Sequence, residues 1–211
     1  MLPLVSADKY SDYCRGQDCL SFIIETLAHS AAGGGNLDLS VDGMGDGRIP
    51  PAFERVLLGV GEWMDVNSQA IYNSTGHAFA PLDNSTCTDN PKKCYTRVGD
   101  ALYVILLEWP FTADDHVLTM THKGAAPTAQ TRAQLLTSKD GSPLPDFAFT
   151  HNSSGLFTTI PPLWPSQMPL QGSATSAYVL RYSHMAFAPA VDDWLASPPV
   201  LVMPPSPPRQ Q

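Results

Sequence analysis

Positive charge is scarce in this sequence. Twelve Lys and Arg stand against twenty Asp and Glu, a net charge of −8, and charged residues of both signs make up only 15% of the chain. Phosphate backbones and anionic membrane surfaces are held by clustered Lys and Arg, so this balance argues against nucleic acid or such membranes as partners. Long apolar runs are also lacking. None reaches the roughly 18 residues that read as a membrane-spanning helix. The opening stretch "MLPLVSADKYSDYC" has only a few apolar residues before Asp8, too few for a secretory leader.

Motifs for nucleotides and metals are missing as well. Residues 33–51, "GGGNLDLSVDGMGDGRIPP", are glycine-rich. Yet no Lys-Ser/Thr follows as a P-loop needs, and the GxGxxG spacing is absent. Read as a calcium loop from Asp42, the stretch puts Asp46 and Gly47 in place. Met44 then falls where a ligand belongs and Phe53 where the bidentate acid belongs, so no calcium site is expected. Cys14/Cys19 and Cys87/Cys94 are spaced too widely for a zinc knuckle, and the six histidines are scattered. No GxSxG elbow and no HExxH occurs. The sequence therefore predicts no metal site and no cofactor.

What is present points to an extracellular style of protein. The sequons at Asn73, Asn84 and Asn152 are candidate glycosylation sites. The two close cysteine pairs lie in polar stretches, where disulfides are the better reading than buried thiols. Four cysteines allow three connectivities, of which Cys14–Cys19 with Cys87–Cys94 is the simplest. The body thus reads as secretory while no leader precedes it, a conflict that a missing N-terminus would reconcile.

Periodicity supplies the elements. Leu20, Ile23, Ile24, Leu27, Ala28 and Ala31 share one helical face, which predicts a helix over 20–32 stopped at Gly33. Residues 36–41, "NLDLSV", alternate strictly and predict a strand. Pro50 and Pro51 suit a helix start, and Phe53, Val56, Leu57, Val60, Trp63, Met64 and Asn67 form its stripe, so a second helix is expected over 51–69. Gly59 and Gly61 inside that stripe suggest close packing. Beyond residue 74 the texture changes. A polar loop over 75–94 carries the Asn84 sequon. Short strand candidates over 95–186 then follow at the spacing of an antiparallel sandwich, beginning with a hairpin at Gly99-Asp100. Proline crowds the end, and 187–211 is expected to be a disordered tail.

Asp38 is out of place in an apolar strand. A desolvated carboxylate in a site is one reading, and a solvent-facing or hydrogen-bonded residue is the favoured one. Trp109, Trp164, Tyr178 and Tyr182 could stack sugars if exposed together, but residues of this kind more often fill a sandwich core.

Residues 20–72 resemble one family, the α-L-fucosidases of glycoside hydrolase family 29. Gly34, Gly35, Asn36, Leu37, Leu39, Val41, Asp46, Gly47, Ile49 and Pro50 match its characteristic stretch. "ERVLLGVGEWMDVNSQAIY" fits the helix that follows, and "ALYVILLEWP" resembles the first core strand of its C-terminal sandwich. The resemblance implies an α+β fragment: the last elements of a (β/α)8-type barrel in residues 1–74, then an antiparallel β-sandwich domain. It implies a retaining, metal-free hydrolase of terminal α-L-fucose acting on fucosylated glycans, secreted or lysosomal when complete. In the family, the nucleophilic Asp and the usual acid/base Glu lie upstream of the helix that starts near residue 20. No catalytic residue is therefore expected in this chain, and the chain alone is expected to be inactive. Asp38, Ser40 and Asp42-Gly43 depart from the family pattern, which leaves Asp38 and Ser40 as weak substrate-binding candidates. The alternative is a non-catalytic carbohydrate-binding or structural module. Oligomeric state is not readable.

Overall fold

The computed structural model describes residues 2–3, 19–41, 43–75, 87–89, 92–108, 117–120, 124–136, 146–161 and 177–188. Cys14, Asn84, Trp109, Trp164 and residues 189–211 lie outside them.

The first helix, α1 (Cys19–Ala32), buries Leu20, Ile23, Ile24, Ala28, Ala31 and Ala32, the face that the apolar spacing predicts. It ends as the sequence expects. Gly33 and Gly35 donate their amides to the carbonyls of His29 and Ser30, and Gly34 adopts φ 74°, a left-handed conformation natural to glycine. The second helix, α2 (Pro51–Asn67), starts on Pro50, whose carbonyl accepts the amides of Phe53 and Glu54. It stops two residues short of the predicted end and tightens into a 3-10 turn at Ser68–Ala70. Gly59 lets α2 approach α1, because a Cβ there would stand 2.9 Å from Leu20 Cδ2. Gly61 faces open space, so close packing explains only one of the two glycines.

The predicted strand over 36–41 is much shorter in the fold. Only β2 (Leu39–Ser40) pairs, in parallel with β1 (Leu2–Pro3). A strand needs neighbours for its amides and carbonyls, and two residues of partner support two residues of strand. The side-chain alternation still holds. Leu37, Leu39 and Val41 pack, with Val56 and Val60, against the Ile23–Phe53 cluster, while Asn36 and Asp38 are exposed.

Residues expected to be a loop over 75–94 include further strands. β3 (Cys87–Asp89) pairs antiparallel with β4 (Lys92–Val98), and β4 pairs with β5 (Ala101–Leu106). Gly99 at φ 58° takes the first position of the two-residue turn, where a hairpin's twist favours positive φ. The remaining strands are β6 (Val117–Met120), β7 (Ala125–Leu135), β8 (Ala148–Asn152), β9 (Gly155–Thr159) and β10 (Tyr178–Phe187). They form two antiparallel sheets, β3-β4-β5-β10-β7 and β6-β9-β8. β10 continues through Phe187, and Ala188 donates its amide to Gly124, so the expected tail begins later than residue 187.

The larger sheet is covered on both faces. Leu102, Val104, Leu106, Leu180 and Tyr182 point toward the smaller sheet and share a core with Leu118, Met120, Leu156 and Ile160. Ala101, Tyr103, Ile105 and Val179 point the other way, onto Leu20, Ile24, Ala28, Trp63 and Val66 of the helices. Every residue of β5 is therefore buried. Polar ties cross the helix–sheet seam. Trp63 Nε1 donates to the Ala177 carbonyl at 3.0 Å, and Thr96 Oγ1 to that of Ala70 at 2.7 Å.

Candidate functional site

Asp38 and Ser40, the two residues singled out by the sequence, lie just before and within the short β2 strand, ahead of its exit loop. Asp38 is exposed and Ser40 half-buried, and neither lines the clefts described below. The exit loop is closed upon itself. Arg48 donates Nε and Nη2 to Asp46 Oδ2 at 2.8 and 2.6 Å, and its backbone amide to Asp46 Oδ1 at 3.1 Å. The Arg48 side chain is the main reason the Asp46 carboxyl sits below the usual carboxylate range. Gly47 at φ 83° lets the turn close. Asp46 is thus committed to Arg48.

Two clefts remain. One, of about 410 Å³, lies where the glycine turn meets the end of α2, between Leu37, Gly34, Asn36 and Tyr72–Ser74. Tyr72 is 66% exposed on its wall. Asn73 takes φ 56°, a left-handed conformation that Asn tolerates. The other is an open polar groove of about 630 Å³ along the bulge in β10, lined by Gln130, Thr131, Arg132, Asp146 and His184. His184 bends the strand at φ 53° and its Nδ1 meets Asp100 Oδ2 at 2.9 Å. Thr128 and Thr131 both donate to its carbonyl, so that bulge is held from three sides.

Asp146 on the wall of the groove and Glu25 of α1 are engaged with cations or amides. Asp146 accepts from Gln134 at 2.8 Å and lies 3.5 Å from Arg132, and Glu25 lies 3.8 Å from Lys92. Such pairs belong to a solvated surface. The tyrosines proposed for sugar stacking are core residues. Tyr182 is fully buried, its hydroxyl 2.7 Å from Thr158 Oγ1, and burial pushes its pKa up; Tyr178 is 6% exposed.

Cys87 and Cys94 face each other across β3 and β4 and form a disulfide. Cys19 is disulfide-bonded too, and its predicted partner Cys14 lies outside the described residues. Nothing in the local spacing of the chain signals that His29 of α1 stands beside the Cys87–Cys94 pair. Its ring and the two sulfurs lie within 4.8 Å of one another. Only the packing of α1 on β4 brings them together, so spacing along the chain could not have found the group.

The helix pair laid across one face of stacked antiparallel sheets is a fold shared with solved α-fucosidases. The Thermotoga maritima α-fucosidase superposes with a TM-score of 0.56 at 22% identity, over 78% of this chain and 34% of that one. A family 29 α-L-fucosidase from Bacteroides thetaiotaomicron gives 0.57 at 20%, over 80% and 32%. The sequence narrows the class: the chain belongs to the α-L-fucosidase family, whose model matches residues 10–69. It is 32% identical to human tissue α-L-fucosidase over 152 residues, 72% of this chain and 29% of that enzyme. The Branchiostoma floridae α-L-fucosidase is 31% identical over 159 residues, 75% of this chain and 31% of the relative. The chain thus spans about a third of the length of the relatives it matches.

Proposed function

We propose that this chain is the C-terminal portion of a retaining α-L-fucosidase, comprising the last barrel elements and a β-sandwich domain. The observation that carries the reading is the helix–strand–helix unit of residues 19–67, which the family model matches and which sits against antiparallel sheets. The complete enzyme hydrolyses terminal α-L-fucose on glycoproteins or glycolipids. Retention requires a nucleophilic carboxylate and an acid/base carboxylate about 5–5.5 Å apart. On this reading both carboxylates lie in the part of the enzyme that precedes this segment. This part serves to close the barrel and brace it on the sandwich. The purified chain is expected to leave an aryl α-L-fucoside intact. A chimera in which it replaces the matching segment of human tissue α-L-fucosidase is expected to hydrolyse it. Turnover by the chain alone, or a folded but inactive chimera, would overturn the reading.

The complete protein works in a secreted or lysosomal setting. The Cys87–Cys94 disulfide supports an oxidising compartment. No helix among the described residues is long and apolar enough to cross a membrane. Asn73 and Asn152 are exposed at turns and, with Asn84, are the proposed glycan carriers. Expressed through a eukaryotic secretory pathway, the chain is expected to lose mass on peptide-N-glycosidase treatment. An unchanged mass would count against all three.

The second reading is a non-catalytic carbohydrate-binding or structural module. Its aromatic platform loses Tyr178 and Tyr182 to the core, which favours the structural version.

A further inference from the structure

The β3–β4 hairpin and the last turns of α1 form a tripod of metal-binding side chains. Cys87 and Cys94 occupy directly opposite positions on the two strands. His29 reaches them from the helix, and the ligand atoms of all three lie within 4.8 Å of one another. Glu25 stands one helical turn before His29, with its Oε1 3.9 Å from His29 Nε2. Two thiols from a hairpin and an i, i+4 pair from a helix packed against it satisfy zinc's tetrahedral preference for sulfur and nitrogen.

We propose that reduction of the Cys87–Cys94 disulfide converts this tripod into a site for a thiophilic divalent cation such as zinc, bound by Cys87, Cys94 and His29. Glu25 or water completes the four ligands. A small-molecule dithiol supplies the reduction. Its thiolate attacks Cys87, the half-buried sulfur, and Cys94, fully buried, leaves as thiolate. The second thiol of the reagent then displaces Cys87, so that two cysteine thiols form as one reagent disulfide forms. The cation takes both sulfurs as thiolates and releases their two protons to solvent. Around a tetrahedral zinc, ligand atoms stand about 3.3–3.8 Å apart, as bond lengths of roughly 2.0–2.3 Å require. The sulfurs must therefore separate, and His29, exposed at the helix surface, must settle at that spacing from both. Lys92 holds Glu25 at 3.8 Å across the exposed side of the site and competes with the cation for it. Oxidised, the hairpin is locked by a covalent bond; reduced, the same hairpin is locked to α1 through the metal.

Cadmium is the probe, because its thiolate bonds give an ultraviolet charge-transfer band. The full chain, reduced and freed of reductant, is expected to bind one equivalent and develop that band, while the oxidised chain develops none. His29→Ala and Cys87→Ser should each weaken binding by about tenfold or more, since loss of even a supporting group around a metal costs roughly 10–100-fold. Cys19→Ser should bind as the parent does. Circular dichroism reports whether the reduced chain stays folded. Absence of the band in folded, reduced protein would overturn the proposal. So would binding that survives Cys87→Ser or ignores His29→Ala. Unfolding on reduction that cadmium does not reverse would overturn it as well.

Discussion

At the scale of single residues, Trp63 joins sequence to fold most directly. It belongs to the apolar stripe of α2, it is fully buried, and its indole N–H donates to Ala177 just before β10. Truncation to Ala opens a cavity between helix and sheet and strands a carbonyl. We expect Trp63→Ala to cost about 3–5 kcal/mol in urea unfolding, as large aromatic deletions do. Trp63→Phe should cost less because it keeps most of the apolar contact. Equal costs would show that the hydrogen bond, rather than the packing, holds the seam. The candidate site residues are a different case. Asp38 stands out as an acid in an apolar strand and Ser40 only as a departure from a family pattern, and the fold leaves Asp38 exposed. The His29–Cys87–Cys94 group was invisible in the sequence, because contact between a helix and a distant hairpin leaves no local trace.

At the scale of elements, α1 and α2 were legible because each buries one stripe, and a period near 3.6 records that directly. Their glycines were only half legible. Gly59 and Gly61 look alike in sequence, yet the first meets Leu20 and the second meets nothing. Gly61→Ala should therefore raise stability by about 1 kcal/mol through helix propensity. Gly59→Ala gains the same propensity but must displace Leu20, and overpacking costs about 1–3 kcal/mol. Chemical denaturation of the two variants should move in opposite directions. A stabilised Gly59→Ala protein would show that Leu20 has room to turn aside. The strand over 36–41 was overread for a physical reason. Alternation reports which face is apolar and says nothing of whether a partner strand is there to pair with.

At the scale of the whole molecule, the boundary near residue 75 marks a change of texture. The packing crosses it. Ala101, Tyr103, Ile105 and Val179 rest on the helices, so the sheets complete their core only with residues 19–70 in place. A chain beginning at residue 76 is expected to expose that apolar face, bind a hydrophobic dye and self-associate. A monomeric, cooperatively unfolding product that ignores the dye would show that the sheets stand alone.

The sequence by itself determined the two helices, the Gly99 hairpin, the apolar face of the short strand and the family. All of these are written in local spacing or in a contiguous run of matching residues. Only the tertiary structure decided that β5 is buried on both faces, that Asp46 belongs to Arg48, and that His29 sits beside a disulfide. Each of those depends on which elements meet, and burial and electrostatics act through space between groups the chain keeps far apart.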